Sequence, residues 1–154
     1  MASNVFVSFD HDDQMQIGQL KLLKNSQTHP LEFVFPLREP AIDGLGRPVK
    51  YSPGDPRSKS IRDEITRKLE RASKLVVLIG DQTANSAWVD WEINTFYEMK
   101  KAESGEETWN RIRGMSLKGC ENAPIPYALG NKSTTVMPWD PERLDRWLGQ
   151  HPDA

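Results

Sequence analysis

The heptapeptide KLVVLIG (residues 74–80) carries five consecutive aliphatic side chains after its lysine. Such a run is typical of a β-strand that is covered on both faces, as in the middle of a parallel sheet. The segment before it, SIRDEITRKLERA (60–72), has apolar residues at helical spacing and charges on its other faces. Its Ser60 and Asp63 resemble a capping box, which predicts that this helix begins at Ser60. The segment after it, SAWVDWEINTFYEMKKAE (86–103), predicts a second helix, and helices alternating with a buried strand indicate an α/β fold.

The outer parts of the chain continue this alternation. Four further short runs are rich in β-branched and aromatic residues and predict strands: NVFVSF (4–9), LEFVFPL (31–37), RIRGMSL (111–117) and TVMPW (135–139). Two further segments predict helices: 10–25, and 140–148 with Asp140 as its cap and Pro141 at its first position. We therefore expect one domain over 1–154, a flavodoxin-like three-layer sandwich with a parallel sheet of about five strands.

Proline and glycine interrupt residues 38–60, which predicts a long loop without regular structure, and residues 121–135 are predicted to be mostly loop. In open parallel sheets, ligands bind outside the carboxyl ends of the strands. We therefore expect the functional site near residues 9–13, the 38–60 loop, residues 80–86 and the start of the following helix.

That following helix carries two tryptophans and two acids in NSAWVDWEINTFY (85–97). At 100° per residue, Val89 lies on the predicted core stripe, whereas Trp91 points to nearly the opposite side. Trp88 and Glu92 are an i,i+4 pair on the flank of the stripe, so we expect them to touch at the edge of the core. A carboxylate beside an indole is a candidate for a raised pKa and a functional role. The alternative is that Glu92 is a solvated flank residue and Trp91 a partly exposed aromatic or a contact to another subunit.

Composition and motifs exclude several classes of function. The net charge of −2 offers no basic surface for nucleic acid, and no apolar run is long enough for a transmembrane helix or a signal peptide. Cys120 is the only cysteine, so the chain is expected to be cytoplasmic and reduced, and the histidines show no metal-ligand spacing. DGLGRP (43–48) and GDPRSKS (54–60) are not nucleotide-binding motifs. DHDD (10–13) with Asp81 leaves open a receiver domain with an acidic cation site, which the helix at 86–103 argues against.

Several of these segments together resemble TIR (Toll/interleukin receptor) domains. The first strand reads Phe-hydrophobic-Ser-aromatic at 6–9 and is followed by acids, and a long loop follows the second strand. Ser86, Trp88 and Glu92 match a Ser-x-Trp-x-x-x-Glu pattern on the third helix of the family, and Pro138-Trp139 matches a late aromatic box. The chain looks most similar to the bacterial TIR-like branch that contains the sensor enzyme of the Thoeris anti-phage system. The resemblance covers most of the chain, and residues 104–135 match it least.

The resemblance implies an enzyme that breaks the bond between nicotinamide and ribose in NAD+, with Glu92 as its catalytic carboxylate. NAD+ would be the substrate, and neither a cofactor nor a metal is implied. Phe9 and Trp88 would stack on its rings. Asp10 would bind ribose hydroxyls, Ser8 and Ser86 would also contact the substrate, and the pyrophosphate would meet basic loop residues, which are Arg38, Arg47, Lys50 and Arg57.

The resemblance also implies partners. TIR domains associate with one another, and the enzyme would reach an effector protein through a small-molecule product, an ADP-ribose derivative that is expected to be cyclic. The competing hypothesis is a non-catalytic TIR adaptor that acts by TIR–TIR association and in which Glu92 has no chemical role. The presence of both Trp88 and Glu92 favours the enzyme over the adaptor.

Overall fold

The structure is a computed structural model that describes residues 4–9, 32–34, 41–42, 48–49, 52–81, 83–104, 111–130 and 134–149. The strands in these ranges are β1 Asn4–Ser8, β2 Glu32–Val34, β3 Ala41–Ile42, β4 Pro48–Val49, β5 Ala72–Ile79, β6 Ile112–Ser116 and β7 Thr135–Met137. The α-helices are α1 Lys59–Arg71, α2 Ala87–Ser104, α3 Tyr127–Gly130 and α4 Pro141–Leu148, and Pro56–Ser58 and Thr83–Asn85 form 3-10 turns.

Five of the strands form one parallel sheet in the order β2-β1-β5-β6-β7. Counted among themselves these strands run 2-1-3-4-5, which is the order of the flavodoxin-like fold. Helices lie on both faces of the sheet, because α1, α2 and α3 cover one face and α4 covers the other. The predicted fold class is therefore confirmed.

The central strand β5 separates two core clusters, because its side chains alternate between the faces of the sheet. Val76 and Val77 are both fully buried, so the prediction of a strand covered on both faces is confirmed. The first core cluster, on the side of α1–α3, includes Phe6, Ile65, Leu69, Leu75, Val77, Ile79, Val89, Ile93, Phe96, Ile112, Ala128 and Leu129. The second core cluster, on the side of α4, includes Val5, Val7, Val76, Leu78, Met115, Leu117, Cys120, Met137, Leu144, Trp147 and Leu148.

A buried lysine at the start of the central strand ties α4 to the sheet. The Lys74 side chain lies over the indole of Trp147, 4.7 Å from the ring centroid, and donates hydrogen bonds to the carbonyls of Trp147 and Leu148. The last carbonyls of a helix carry partial negative charge, which offsets part of the cost of burying this cation. Burial and, to a smaller extent, the nearby Arg113 lower the pKa of Lys74 to about 8. At the other end of α4, Asp140 caps the helix as predicted by accepting from the Arg143 amide at 3.0 Å.

The predicted capping box at the start of α1 is wrong. The helix begins at Lys59 and is preceded by Ser58, so Ser60 lies inside it. A 3-10 turn over Pro56–Ser58, capped by Asp55, leads directly into α1, so the chain already turns before it reaches Ser60. Asp63 is instead paired with Lys59, its i−4 neighbour, at 2.8 Å.

Two of the predicted loops contain regular structure. Residues 38–60 include the antiparallel strands β3 and β4, whose pairing joins Ala41 to Val49 and Ile42 to Pro48. The five residues between these strands include two glycines, a composition typical of a hairpin connection. Residues 121–135 include the short helix α3, whose Leu129 packs in the first core cluster. Leu129 is buried because other elements pack against it, which the local sequence composition does not reveal. The helix predicted over 10–25 lies outside the described residues.

Candidate active site

The centre of the candidate site is a hydrogen bond between Ser8 and Glu92. The Ser8 hydroxyl donates to Oε1 of Glu92 at 2.7 Å, and both residues are fully buried. A carboxylate is costly to bury unless hydrogen bonds or opposite charges compensate for its lost hydration. Glu92 is therefore not the solvated flank residue of the alternative interpretation, and it lies inside the molecule rather than at the edge of its core.

The fold explains why these two residues meet although 84 positions separate them. Ser8 is the last residue of β1 and pairs with Val77 of the central strand. Because strand side chains alternate, Ser8 points to the same face as Phe6, which belongs to the first core cluster. Glu92 lies in the second turn of α2, which packs on that face. The pair consequently lies at the carboxyl end of the sheet, where sites of this fold class occur.

The loop that leads from β5 into α2 is held by two hydroxyl side chains. The buried Thr83 accepts from the Gly80 amide at 2.7 Å. Ser86 accepts from the Val89 amide at 3.2 Å and so acts as the N-cap of α2. The structure thus places the Ser86 hydroxyl on the helix end, which sets the position of α2 and of Glu92 along the sheet. The predicted contact of Ser86 with substrate is a separate role and stays a prediction.

The two tryptophans of α2 form one aromatic unit. The rings of Trp88 and Trp91 meet edge to face, with centroids 5.5 Å apart and planes at 78°. Both are partly buried and pack against the first core cluster. Trp91 is therefore partly covered although its Cα faces away from the core stripe, because its large ring reaches sideways to Trp88, its i−3 neighbour.

The structure separates Phe9 from Trp88. Phe9 is partly buried and packs against the second core cluster, as Trp139 does. Trp88 packs against the first core cluster on the opposite face of the sheet. Phe9 and Trp139 therefore share a face of the sheet that Ser8 and Glu92 do not occupy.

The remaining predicted substrate contacts are basic or acidic loop residues. Asp10 and Arg47, like Arg38 and Lys50, lie outside the described residues, so their roles stay predictions. Arg57 is described, and its guanidinium binds Asp55 at 2.7 Å and 2.9 Å. These bonds lower the pKa of Asp55 to about 2. Arg57 thus stabilises the turn before α1.

Two residues that hold the site were not predicted from the sequence. Thr83 fixes the loop before α2, and Asp90 accepts from the Ala128 amide at 3.3 Å, which joins α2 to α3. The role of Thr83 has a weak sequence signal, a threonine three residues after the glycine that follows a strand. No local signal points to the second, since Asp90 and Ala128 are 38 residues apart.

Comparison with known proteins assigns this fold to a family. The parallel sheet with helices on both faces is consistent with a TIR-like domain. The family described as "Thoeris protein ThsB, TIR-like domain" matches residues 6–106, about two thirds of the chain, and the chain belongs to that family. The match includes the Ser8–Glu92 pair and Trp88 and ends shortly after α2. No curated protein matches the chain.

The family gives the chain a role in anti-phage signalling and makes TIR–TIR association the expected mode of assembly. Within the described ranges, no helix is both long and apolar enough to cross a membrane. The same ranges contain no group of three or more acidic, histidine or cysteine side chains that would hold a metal ion.

Proposed function

We propose that this chain is an NAD+-cleaving enzyme of anti-phage signalling, in which Glu92 is the catalytic carboxylate. The observation that carries the proposal is the Ser8–Glu92 pair, a carboxylate that is fully buried and hydrogen-bonded at the carboxyl end of the sheet. A protein tolerates a buried carboxylate at a cost, and ionisable groups in such surroundings are concentrated at functional sites.

The chemistry needs one negative charge at a fixed position. The bond from the anomeric ribose carbon to the nicotinamide nitrogen breaks with both electrons going to the nitrogen, so the cationic ring leaves as neutral nicotinamide. The ribose then carries an oxocarbenium-like positive charge, which a preorganised carboxylate stabilises. No general acid is required, in contrast to ordinary glycoside cleavage, because the leaving group is already cationic. A nucleophile, either water or a group of the ADP-ribose itself, then bonds to the anomeric carbon.

The proposed product follows from that last step. Attack by water gives ADP-ribose, whereas attack by a group of the same molecule gives a cyclic ADP-ribose derivative. Membership of the Thoeris family favours a diffusible signal that an effector protein binds, and hence the cyclic product. Trp88 lies one helical turn before Glu92 on the same helix, and we propose that its partly exposed ring stacks on nicotinamide.

Burial of Glu92 has a direct consequence for activity. Since the residue is fully buried, NAD+ reaches the carboxylate only after the atoms that cover it have moved. We therefore propose that the described state is a resting state and that the active state, reached on assembly or on a trigger, uncovers Glu92. Purified protein at low concentration is therefore expected to cleave NAD+ slowly.

A second candidate function is the non-catalytic adaptor, and one observation favours it. Ile125 and Tyr127, next to and within α3, are 51% and 77% exposed. Two exposed large hydrophobic side chains this close in sequence are a candidate contact surface, which an adaptor would use for TIR–TIR association. In an adaptor the Ser8–Glu92 pair would serve only to join β1 to α2.

One experiment separates the two candidates. The protein is incubated with NAD+ over a range of protein concentrations and with a crowding agent that promotes assembly, and free nicotinamide is measured by chromatography. We expect nicotinamide to appear at a rate per molecule that rises with protein concentration, and mass spectrometry to identify the ADP-ribose product. Assembly detected by light scattering without any release of nicotinamide would instead identify an adaptor.

A further inference from the structure

We propose that Ser8 is a positioning residue, which holds the Glu92 carboxylate in its catalytic orientation and does not itself contact the substrate. This inference rests on the proposed function of Glu92. It changes the role that the sequence suggests for Ser8, which is substrate binding.

The geometry of the pair supports a positioning role. The Oγ–Oε1 distance of 2.7 Å is typical of a strong hydrogen bond between a hydroxyl and a carboxylate. Because the two oxygens and the carbon of a carboxylate form one rigid plane, a bond to Oε1 restrains the whole group. The hydroxyl is itself well fixed, since Ser8 lies in a strand that pairs in register with the central strand β5.

Burial and hydrogen-bond capacity together argue against a direct contact between Ser8 and ribose. A serine hydroxyl has one proton to donate, which Ser8 donates to Glu92, so a ribose hydroxyl would meet Ser8 only as an acceptor. Ser8 is also fully buried, with the side chain directed into the first core cluster alongside Phe6. A substrate hydroxyl would have to displace Glu92 in order to receive that proton.

The test uses three variants, Ser8→Ala, Ser8→Thr and Ser58→Ala. Threonine keeps the hydroxyl and suits a β-strand. Ser58→Ala is the matched control: Ser58 is also fully buried and donates a 2.8 Å hydrogen bond, but to the Ser52 carbonyl before α1. It therefore loses a comparable bond without touching Glu92.

The kinetic measurement distinguishes positioning from substrate binding. Loss of a hydrogen bond to a charged group is expected to lower kcat of Ser8→Ala by roughly ten- to a hundredfold. KM for NAD+ should stay within about twofold of the wild type, because no substrate contact is lost. Ser8→Thr should restore most of kcat, and Ser58→Ala should change the melting temperature but not kcat. A raised KM with unchanged kcat in Ser8→Ala would show that Ser8 binds substrate and would overturn the proposal.

A second measurement needs no NAD+ and so separates this inference from the proposed function. Thermal unfolding is recorded for Ser8→Ala, Glu92→Gln and the double variant. If the hydroxyl restrains the charged carboxylate, Ser8→Ala lowers the melting temperature more in the wild type than in the Glu92→Gln background. Equal shifts in both backgrounds would show that the hydrogen bond from Ser8 gains nothing from the negative charge of Glu92, and the proposed restraint on a charged carboxylate would be rejected. Coupling in a protein that never releases nicotinamide would support the Ser8–Glu92 link and reject the enzymatic proposal alone.

Discussion

Replacing Glu92 by glutamine tests the centre of the proposed mechanism with almost no change of shape. Gln keeps the volume of Glu and an oxygen that accepts from the Ser8 hydroxyl, but it removes the negative charge. Loss of one preorganised electrostatic contact of this kind costs roughly 3–4 kcal/mol in the transition state, which is about a hundred- to a thousandfold in kcat. We therefore expect Glu92→Gln to reduce nicotinamide release by that factor.

Two opposing effects determine the stability of the same variant. The hydrogen bond from Ser8 becomes a bond between neutral groups, which is roughly half as strong, so about 1 kcal/mol is lost. The variant no longer buries a charge, which offsets part of this loss, since Glu92 is fully buried in the wild type. For a chain of 154 residues, 1 kcal/mol corresponds to roughly 2–4 °C in melting temperature. We expect a shift of no more than about 4 °C.

The assay compares Glu92→Gln with Glu98→Gln, measuring nicotinamide release and thermal unfolding under conditions in which the wild type is active. Glu98 lies on the same helix but is exposed, so its substitution changes the net charge equally and leaves the site intact. Both variants should melt close to the wild type, and only Glu92→Gln should lose turnover. If Glu92→Gln melts like the wild type and releases nicotinamide within about threefold of its rate, Glu92 is not the catalytic group.

Four further predictions address the rest of the molecule. Lys74 has a pKa of about 8 in the folded protein and 10.5 in the unfolded chain, so between these pH values the unfolded chain binds more protons and stability rises with pH. Relative to Lys74→Met, the unfolding free energy of the wild type should increase by up to roughly 3 kcal/mol from pH 8 to 10.5. Denaturant titrations in which the difference between the two proteins does not change with pH would contradict this prediction. Gly114→Ala should destabilise the fold by about 1–3 kcal/mol in urea unfolding, because the new methyl group would lie 3.1 Å from Leu129 and Val136. An unchanged urea midpoint of unfolding would show that α3 moves to accommodate the methyl group at no cost in stability. Trp88→Ala should lower both the melting temperature and the turnover of NAD+, unlike Glu92→Gln. A lower melting temperature alone would indicate that Trp88 acts only in packing, and a lower turnover alone would indicate that it acts only by stacking on the substrate. Tyr127→Ala should weaken concentration-dependent assembly in light scattering without lowering the melting temperature by more than about 2 °C, whereas unchanged assembly would exclude this exposed side chain from the contact.

Trp91 is the subject of one further prediction. The helical pattern indicates that it contributes to a self-association surface or packs under residues 104–135. Its ring is partly buried against the first core cluster, to which Ala128 and Leu129 also belong. Light scattering of Trp91→Ala, with its melting temperature as the control, measures how much each role contributes.

The sequence alone determined the elements whose signals are local. Continuous apolar residues predict β5 because only a strand covered on both faces tolerates them, and the spacing of Ile61, Ile65 and Leu69 predicts the buried face of α1. Asp140 followed by Pro141 predicts the start of α4, because capping depends on a few adjacent residues. The Ser-x-Trp-x-x-x-Glu pattern, combined with the first strand and the apolar run of β5, likewise predicted the family.

Only the tertiary structure decided how these elements meet. The Ser8–Glu92 bond joins residues 84 positions apart, and the burial of Glu92 depends on how α2 packs on the sheet. The helical pattern placed Glu92 on a flank because it describes one helix in isolation, whereas a strand, its neighbours and their helices together enclose that flank. The capping box failed for a local reason instead, since Asp55 followed by Pro56 starts a 3-10 turn before Ser60. Burial and hydrogen-bond partners depend on how the whole chain packs, and the sequence of a single segment does not specify which residues pack against it.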